Sequence, residues 1–247
     1  MKSKQDYIIE NLNYFEQLIS SNKNFSIVKI GDGEIDCMQN KPGGNIDYHP
    51  YSEELGNKLK NSFIELSNKR DIFICDWFYS NPPINLRDEG NLKFYNNFIS
   101  NNKLNLNYVR PFELLMLGWD NLELPNLFNF YKVIKNSTRN KIYVGPKRIS
   151  EIVNLLNINH FIEIPLINAF ASHNVILNEI KKYIVDESIV MLSVGLQSPV
   201  LVNALLNFNQ NITILDIGSG FDPLYYAQTR GCAQASIVEA KKYFENL

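Results

Sequence analysis

Two carboxylates one residue apart, Asp32 and Glu34, alternate with two glycines in Lys29-Ile30-Gly31-Asp32-Gly33-Glu34. Hard oxygen donors at that spacing suit a divalent cation, Mn2+ or Mg2+, that also holds a diphosphate. The same residues have a plainer use, with Asp32 capping a following helix and Glu34 complementing its dipole. Spacing does not choose between the two, because a three-residue D-x-E pattern is common. A second group suits an anion. Gly195-Leu196-Gln197-Ser198-Pro199 supplies a glycine, a capping serine and a proline fit for a first helical position. Free backbone N–H groups at such a start attract phosphate, although an ordinary well-capped helix needs the same residues. Lys147 and Arg148 either neutralise a diphosphate or form a solvated surface. Asp76-Trp77 pairs a carboxylate with a ring able to stack on a base or sugar, and core packing is the ordinary role of such a ring.

These residues need a scaffold, and the order of elements supplies one. Ser26 to Ile30 is a β-branched apolar run that stops at Gly31, so it reads as a buried strand ending in an acidic turn. Helical spacing covers 7–18, 52–66, 89–100 and a region within 112–135. An apolar run at 71–75 ends at Asp76. From 141 the pattern is regular: strands 141–144, 161–164, 188–194 and 212–217 each stop at glycine or proline. Helices over 147–156, 171–184, 199–206 and 234–245 follow them. That alternation predicts an α/β chain with a Rossmann-like, mostly parallel sheet and helices on both faces. All the turns then share one edge, and in open sheets of this kind ligands bind outside the carboxyl ends of strands.

Composition narrows the partners. The 247 residues carry a net charge of −2, with 45% hydrophobic and 20% charged residues. That is an ordinary globular balance, without the basic excess of a nucleic-acid binder. We read it as one domain over 1–247, compatible with a homodimer. Cys37, Cys75 and Cys232 are far apart and form neither a zinc ribbon nor a disulfide framework. The amino terminus lacks the apolar core of a signal peptide, and no segment is long enough to span a bilayer. The expected location is therefore cytoplasmic, compatible with peripheral work at a membrane face. The histidines His49, His160 and His173 belong to no H-E-x-x-H motif, and no serine-nucleophile elbow is present.

The last strand ends in Leu215-Asp216-Ile217-Gly218-Ser219-Gly220-Phe221-Asp222, which looks like the glycine-rich first motif of class I S-adenosylmethionine-dependent methyltransferases. Only 27 residues follow Gly220, so that fold would require a circular permutation. The alternative is that this turn closes the same cleft and brings Ser219 and Asp222 towards Asp32 and Glu34.

With these blocks in order, the chain resembles the GT-D-type glycosyltransferases. Lys29 to Glu34 is similar to that family's Arg-hydrophobic-Gly-Asp-Gly-Glu signature, with Lys29 in place of the arginine. Likeness continues through 51–63, resumes at Pro165-Leu166-Ile167-Asn168-Ala169-Phe170, and runs from Ile189 to Gly195. There the family continues Gly-Pro-Thr-Ala where this chain has Gly195-Leu196-Gln197-Ser198. Likeness ends at Asp216-Ile217-Gly218, followed by Ser219 where the family commonly has histidine. The resemblance implies transfer of a sugar from a nucleoside-diphosphate donor, typically a UDP-sugar, to a glycan, glycoprotein or lipid-linked saccharide. It implies that Asp32 and Glu34 hold the cation; with the family's histidine absent after Gly218, Ser219 or Asp222 is the substitute from that turn, and we count Asp222 with the metal ligands. The resemblance makes the turn Gly195–Ser198 a cradle for phosphate, and our candidate donor contacts are Lys29, Gly31, Gly33, Asn168, Gly195, Gln197, Ser198, Gly218 and Ser219, with Trp77 as a ring for stacking. An inverting reaction would want a carboxylate base, for which Asp76, Glu113 and Asp120 are available. Segment 77–140 has the least likeness and is the expected acceptor-facing part. A sugar-nucleotide-binding module without catalysis shares all these features.

Overall fold

The computed structural model describes residues 12–41, 45–46, 49–76, 89–109, 124–218, 220–221 and 242–247. In chain order the first elements are α1 (Asn13–Ser20), β1 (Ser26–Ile30), α2 (Asp32–Met38), β2 (Asn45–Ile46), β3 (His49–Pro50), α3 (Glu53–Leu66) and β4 (Ile72–Asp76). Then come α4 (Glu89–Asn101), β5 (Asn107–Val109), α5 (Leu124–Asn136), β6 (Lys141–Pro146), α6 (Ile152–Leu155) and β7 (His160–Ile164). The last are α7 (His173–Lys181), β8 (Ile189–Leu192), α8 (Ser198–Phe208) and β9 (Thr213–Asp216). Seven strands form one sheet in the order β5-β4-β1-β9-β8-β6-β7, and every pairing in it is parallel. The short β2 and β3 pair antiparallel beside it.

Strands covered on both faces explain why their sequences are continuous apolar runs rather than alternating ones. Residue parity still sorts the core into two layers. Val28, Ile30, Ile74, Ile142, Val144, Val190, Leu192 and Ile214 join α2, α3, α7 and α8 in one cluster. Ile27, Phe73, Cys75, Tyr143, Met191 and Leu215 join α1, α5 and Phe244 in the other. Helix α3 shows how locally this is encoded. Ser52 caps it by accepting from the Leu55 N–H at 3.1 Å, two glutamates open it, and Leu55, Leu59, Phe63 and Leu66 form its buried stripe. Helix α8 lies deepest, with Pro199 in its first turn and eight of its eleven residues buried.

The expected Rossmann-like architecture is therefore present, with several local differences. The acidic turn after β1 is itself helical, since α2 begins at Asp32. The helix expected over 147–156 is a 3-10 turn, Lys147–Ile149, followed by the single turn α6. Ile149 and Ile152, three apart, are both buried and suit the tighter winding. Asn157, with a φ of 53°, then ends it. The helix expected over 171–184 opens as a 3-10 turn, Ala169–Ser172, before α7. Strand β5 escaped the sequence reading because three residues are too few to show a period. Of the first and last expected helices, the described parts are α1 and the helical residues 242–245.

Candidate active site at the carboxyl edge of the sheet

The order β4-β1-β9-β8 sets four strand ends side by side. The chain from β1 winds outward through β4 and β5, whereas β9 arrives from the opposite half of the sheet. The β1/β9 boundary is where the half of the sheet built from β1, β4 and β5 meets the half built from β6 to β9, and ligands of open parallel sheets bind outside the carboxyl ends of such strands. Asp32 and Glu34 follow β1, Asp216 ends β9, and the turn Gly195–Gln197 follows β8 into α8. Asp76 ends β4 in register with Ile30. Trp77, Glu113, Asp120, Ser219 and Asp222 lie outside the described residues.

Helix α2 has Gly31 as its N-cap, Asp32 at its first position and Glu34 at its third. Glu34 turns back, and its Oε2 accepts from the Gly31 N–H at 2.8 Å, so it is the acidic residue that satisfies the cap. A Cβ on Gly31 would stand 3.2 Å from that oxygen, which is why a glycine precedes the pair although its φ is an ordinary −117°. Asp32 is half-buried, and its Oδ1 accepts from the Gly33 N–H at 3.0 Å. The two carboxylates are therefore not equivalent. Asp32 stands at the helix mouth, while Glu34 is drawn in towards β9.

Beneath them is a buried charge cluster that the spacing of the acidic pair did not reveal. Asp216 is 3% exposed, and its Oδ2 accepts from the Lys29 N–H at 3.0 Å. Lys29 is itself buried, and its ammonium lies against Gly218 so closely that a Cβ there would overlap Nζ. Gly218 also has a φ of 55°, so close approach and backbone both favour glycine. Burial pushes the Asp216 carboxyl up, and the Lys29 charge and N–H, the Ser198 side chain and the Gly218 N–H oppose that rise. Burial pushes Glu34 up to about 7; the N–H groups of Gly31 and Glu34 oppose it, Asp216 adds to it, and Lys29 opposes it. The signal in the sequence was a carboxylate closing an otherwise apolar strand. Tyr51, just before α3, completes the group. Burial first, then the charges of Asp36, Asp32 and Glu34, push its hydroxyl well above the usual range, so it presents a neutral O–H.

The turn after β8 begins at Gly195, with a φ of 67°, and passes through the buried Gln197 and Ser198 into α8. Asn168, at a φ of 49°, opens the 3-10 turn that leads into α7. The edge strand β7 holds it three strands from β9, so it does not join the acidic group directly. Arg148, half-buried, follows β6 beside β8.

A hard cation fits this donor set in kind. Two carboxylates, Glu34 and Asp216, share the influence of one ammonium, and added positive charge would favour their ionised forms. Among the described residues no three His, Cys, Asp or Glu side chains gather to hold an ion.

No protein-family model and no curated protein matches the chain. A solved structure does, described as a selenomethionine-substituted domain of unknown function 1792 (DUF1792). The match covers 92% of this chain and 83% of that one, with a TM-score of 0.59 and 21% identity. The two share a fold. Among the described residues no helix is long and apolar enough to cross a membrane.

Proposed function

We propose that the protein is a glycosyltransferase that moves a sugar from a nucleoside-diphosphate donor, in the first instance a UDP-sugar, to a glycan or glycoconjugate hydroxyl. One observation carries this reading: a carboxylate pair on the first turn of α2, the buried Asp216 with Lys29 at β1/β9, and the turn from β8 into α8 occupy neighbouring strand ends where the two halves of the sheet meet. The sequence resemblance to GT-D-type enzymes and the fold shared with DUF1792 point the same way.

The chain's own residues divide the work. Backbone N–H groups at the start of α8 receive the diphosphate, and the helix dipole favours its charge there. Lys29 contributes positive charge from below, held in place by Gly218 and Asp216. Asp32 and Glu34 would hold a divalent cation, which when bound supplies charge stabilisation to a departing diphosphate. Tyr51 offers a neutral donor next to these carboxylates. Asp76, one strand over from Ile30, is our choice for the base that takes the acceptor hydroxyl proton. We assign acceptor choice to 77–140, the stretch of least family likeness; exchanging it for a relative's segment should change the acceptor used while donor hydrolysis persists.

Methyl transfer is the weaker reading. Asp216 already accepts from Lys29, and the Lys29 ammonium covers Gly218, which that reading would leave open for a cofactor. The test is release of UDP from a panel of UDP-sugars with Mn2+, wild type against Asp32→Ala. Release that disappears in the variant supports the proposal. Turnover that survives overturns the site, and binding of UDP with no turnover of any sugar identifies a binding module.

A further inference from the structure

The turn after β8 contains more polar atoms than the protein satisfies. Gln197 is 1% exposed, and its Oε1 lies 2.9 Å from the Nδ1 of His173, itself buried at the start of α7. An amide oxygen only accepts, so with Oε1 facing the ring it is Nδ1 that donates. Burial above all holds His173 below its usual range; the Gln197 bond opposes this, and of the charges on neighbouring α3, Lys58 adds to it and Glu54 opposes it. The other end of the amide, Nε2, is buried and has no partner, and neither has the hydroxyl of Ser193 at the end of β8. A buried donor without a partner is costly, so such groups gather where a ligand or ordered water completes them. These atoms stand at the amino end of an eleven-residue helix, where charge and N–H groups already favour an anion.

We propose that the Gln197 side-chain amide is a phosphate ligand for the donor, and that His173 is its positioning residue. The inference rests on the glycosyltransferase reading and deepens it. The turn here is Gly195-Leu196-Gln197-Ser198, and its long amide does what a shorter side chain at this position would not: it reaches into the turn and is locked from behind. His173 fixes which face of the amide points at the ligand, because Oε1 is committed to Nδ1 and only Nε2–H remains to donate. Nε2 is covered by the protein, so a ligand that meets it must do so with a single small group. A phosphate oxygen does so, and a sugar ring or a base does not.

The test measures binding of UDP and of inorganic pyrophosphate, each with Mn2+, by calorimetry, with uridine as the phosphate-free control. Gln197→Glu keeps the size of the side chain and replaces the donor by an acceptor. It should weaken UDP and pyrophosphate at least tenfold and change uridine less than twofold. His173→Asn restores a donor near the Nδ1 position and should retain most of the affinity. His173→Leu should lose about as much as Gln197→Glu and raise KM far more than it lowers kcat. Thermal melts of the three variants identify any that fail to fold, and Gln197→Met then replaces Gln197→Glu. Wild-type binding of pyrophosphate with equal binding by Gln197→Glu would overturn the ligand assignment. Equal behaviour of His173→Asn and His173→Leu would overturn the positioning role. A wild type that binds neither UDP nor pyrophosphate would instead overturn the glycosyltransferase reading beneath both.

Discussion

Glu34 is held in the fold at about 7, against an ordinary value of 4.5, chiefly by burial. The folded state thus binds a proton that the unfolded chain releases at lower pH, and folding is favoured by acid through this group. Below about pH 4.5 its contribution is fully present, and it is lost as pH rises through 7. Integrating between these two values, the wild type should gain about 2.5 kcal/mol from this residue on going from pH 8 to pH 5. For a chain of this size that corresponds to a melting-temperature difference of roughly 5–10 °C. Glu34→Gln removes the titration while its oxygen still accepts from the Gly31 N–H. Any fixed cost of the new NH2 group is the same at both pH values and cancels in the comparison. Urea unfolding of both proteins at pH 5, 6, 7 and 8 reads the effect. The variant's stability relative to wild type should be about 2.5 kcal/mol more favourable at pH 8 than at pH 5. A difference between the two proteins that stays constant across the series to within about 0.5 kcal/mol would refute the buried, proton-retaining Glu34.

Lys29→Met leaves Asp216 and Glu34 without their shared cation; the loss of stability should be about 3–5 kcal/mol at pH 8 and smaller at pH 5, as measured by the same unfolding series. Gly218→Ala places a side chain against the Lys29 ammonium at a left-handed φ, so it should cost about 1–2 kcal/mol and depress UDP-sugar turnover together with stability. Asp32→Ala, at a half-buried first-turn position, should cost only about 1 kcal/mol in thermal melts yet abolish UDP release. Mn2+ with UDP should raise the melting temperature of wild type and should not raise that of the same variant. An equal rise in both proteins would remove Asp32 from the cation site.

Much of the scaffold could be read along the chain. Repeated apolar runs stopping at Gly31, Gly195 and Gly218, each followed by helical spacing, determine a parallel sheet with its turns on one edge, because periodicity and breakers are local properties. The helical spacing of α3 and the acidic pair that follows β1 were legible for the same reason. What the chain could not state was which turns are neighbours. The placement of β9 between β1 and β8 is a choice of sheet order, and only that choice brings Asp216 onto the Lys29 N–H. It also decides how differently two nearly adjacent carboxylates behave. Both are partly exposed, but Glu34 turns back onto the Gly31 N–H and feels Asp216, 182 residues on in the chain, as well as the nearby Lys29. His173 and Gln197 were each visible as residues but not as a pair, since the contact crosses from α7 to the turn before α8. Side-chain type and spacing are written locally; desolvation and charge coupling depend on distances in space, and those were fixed only when the strands were laid side by side.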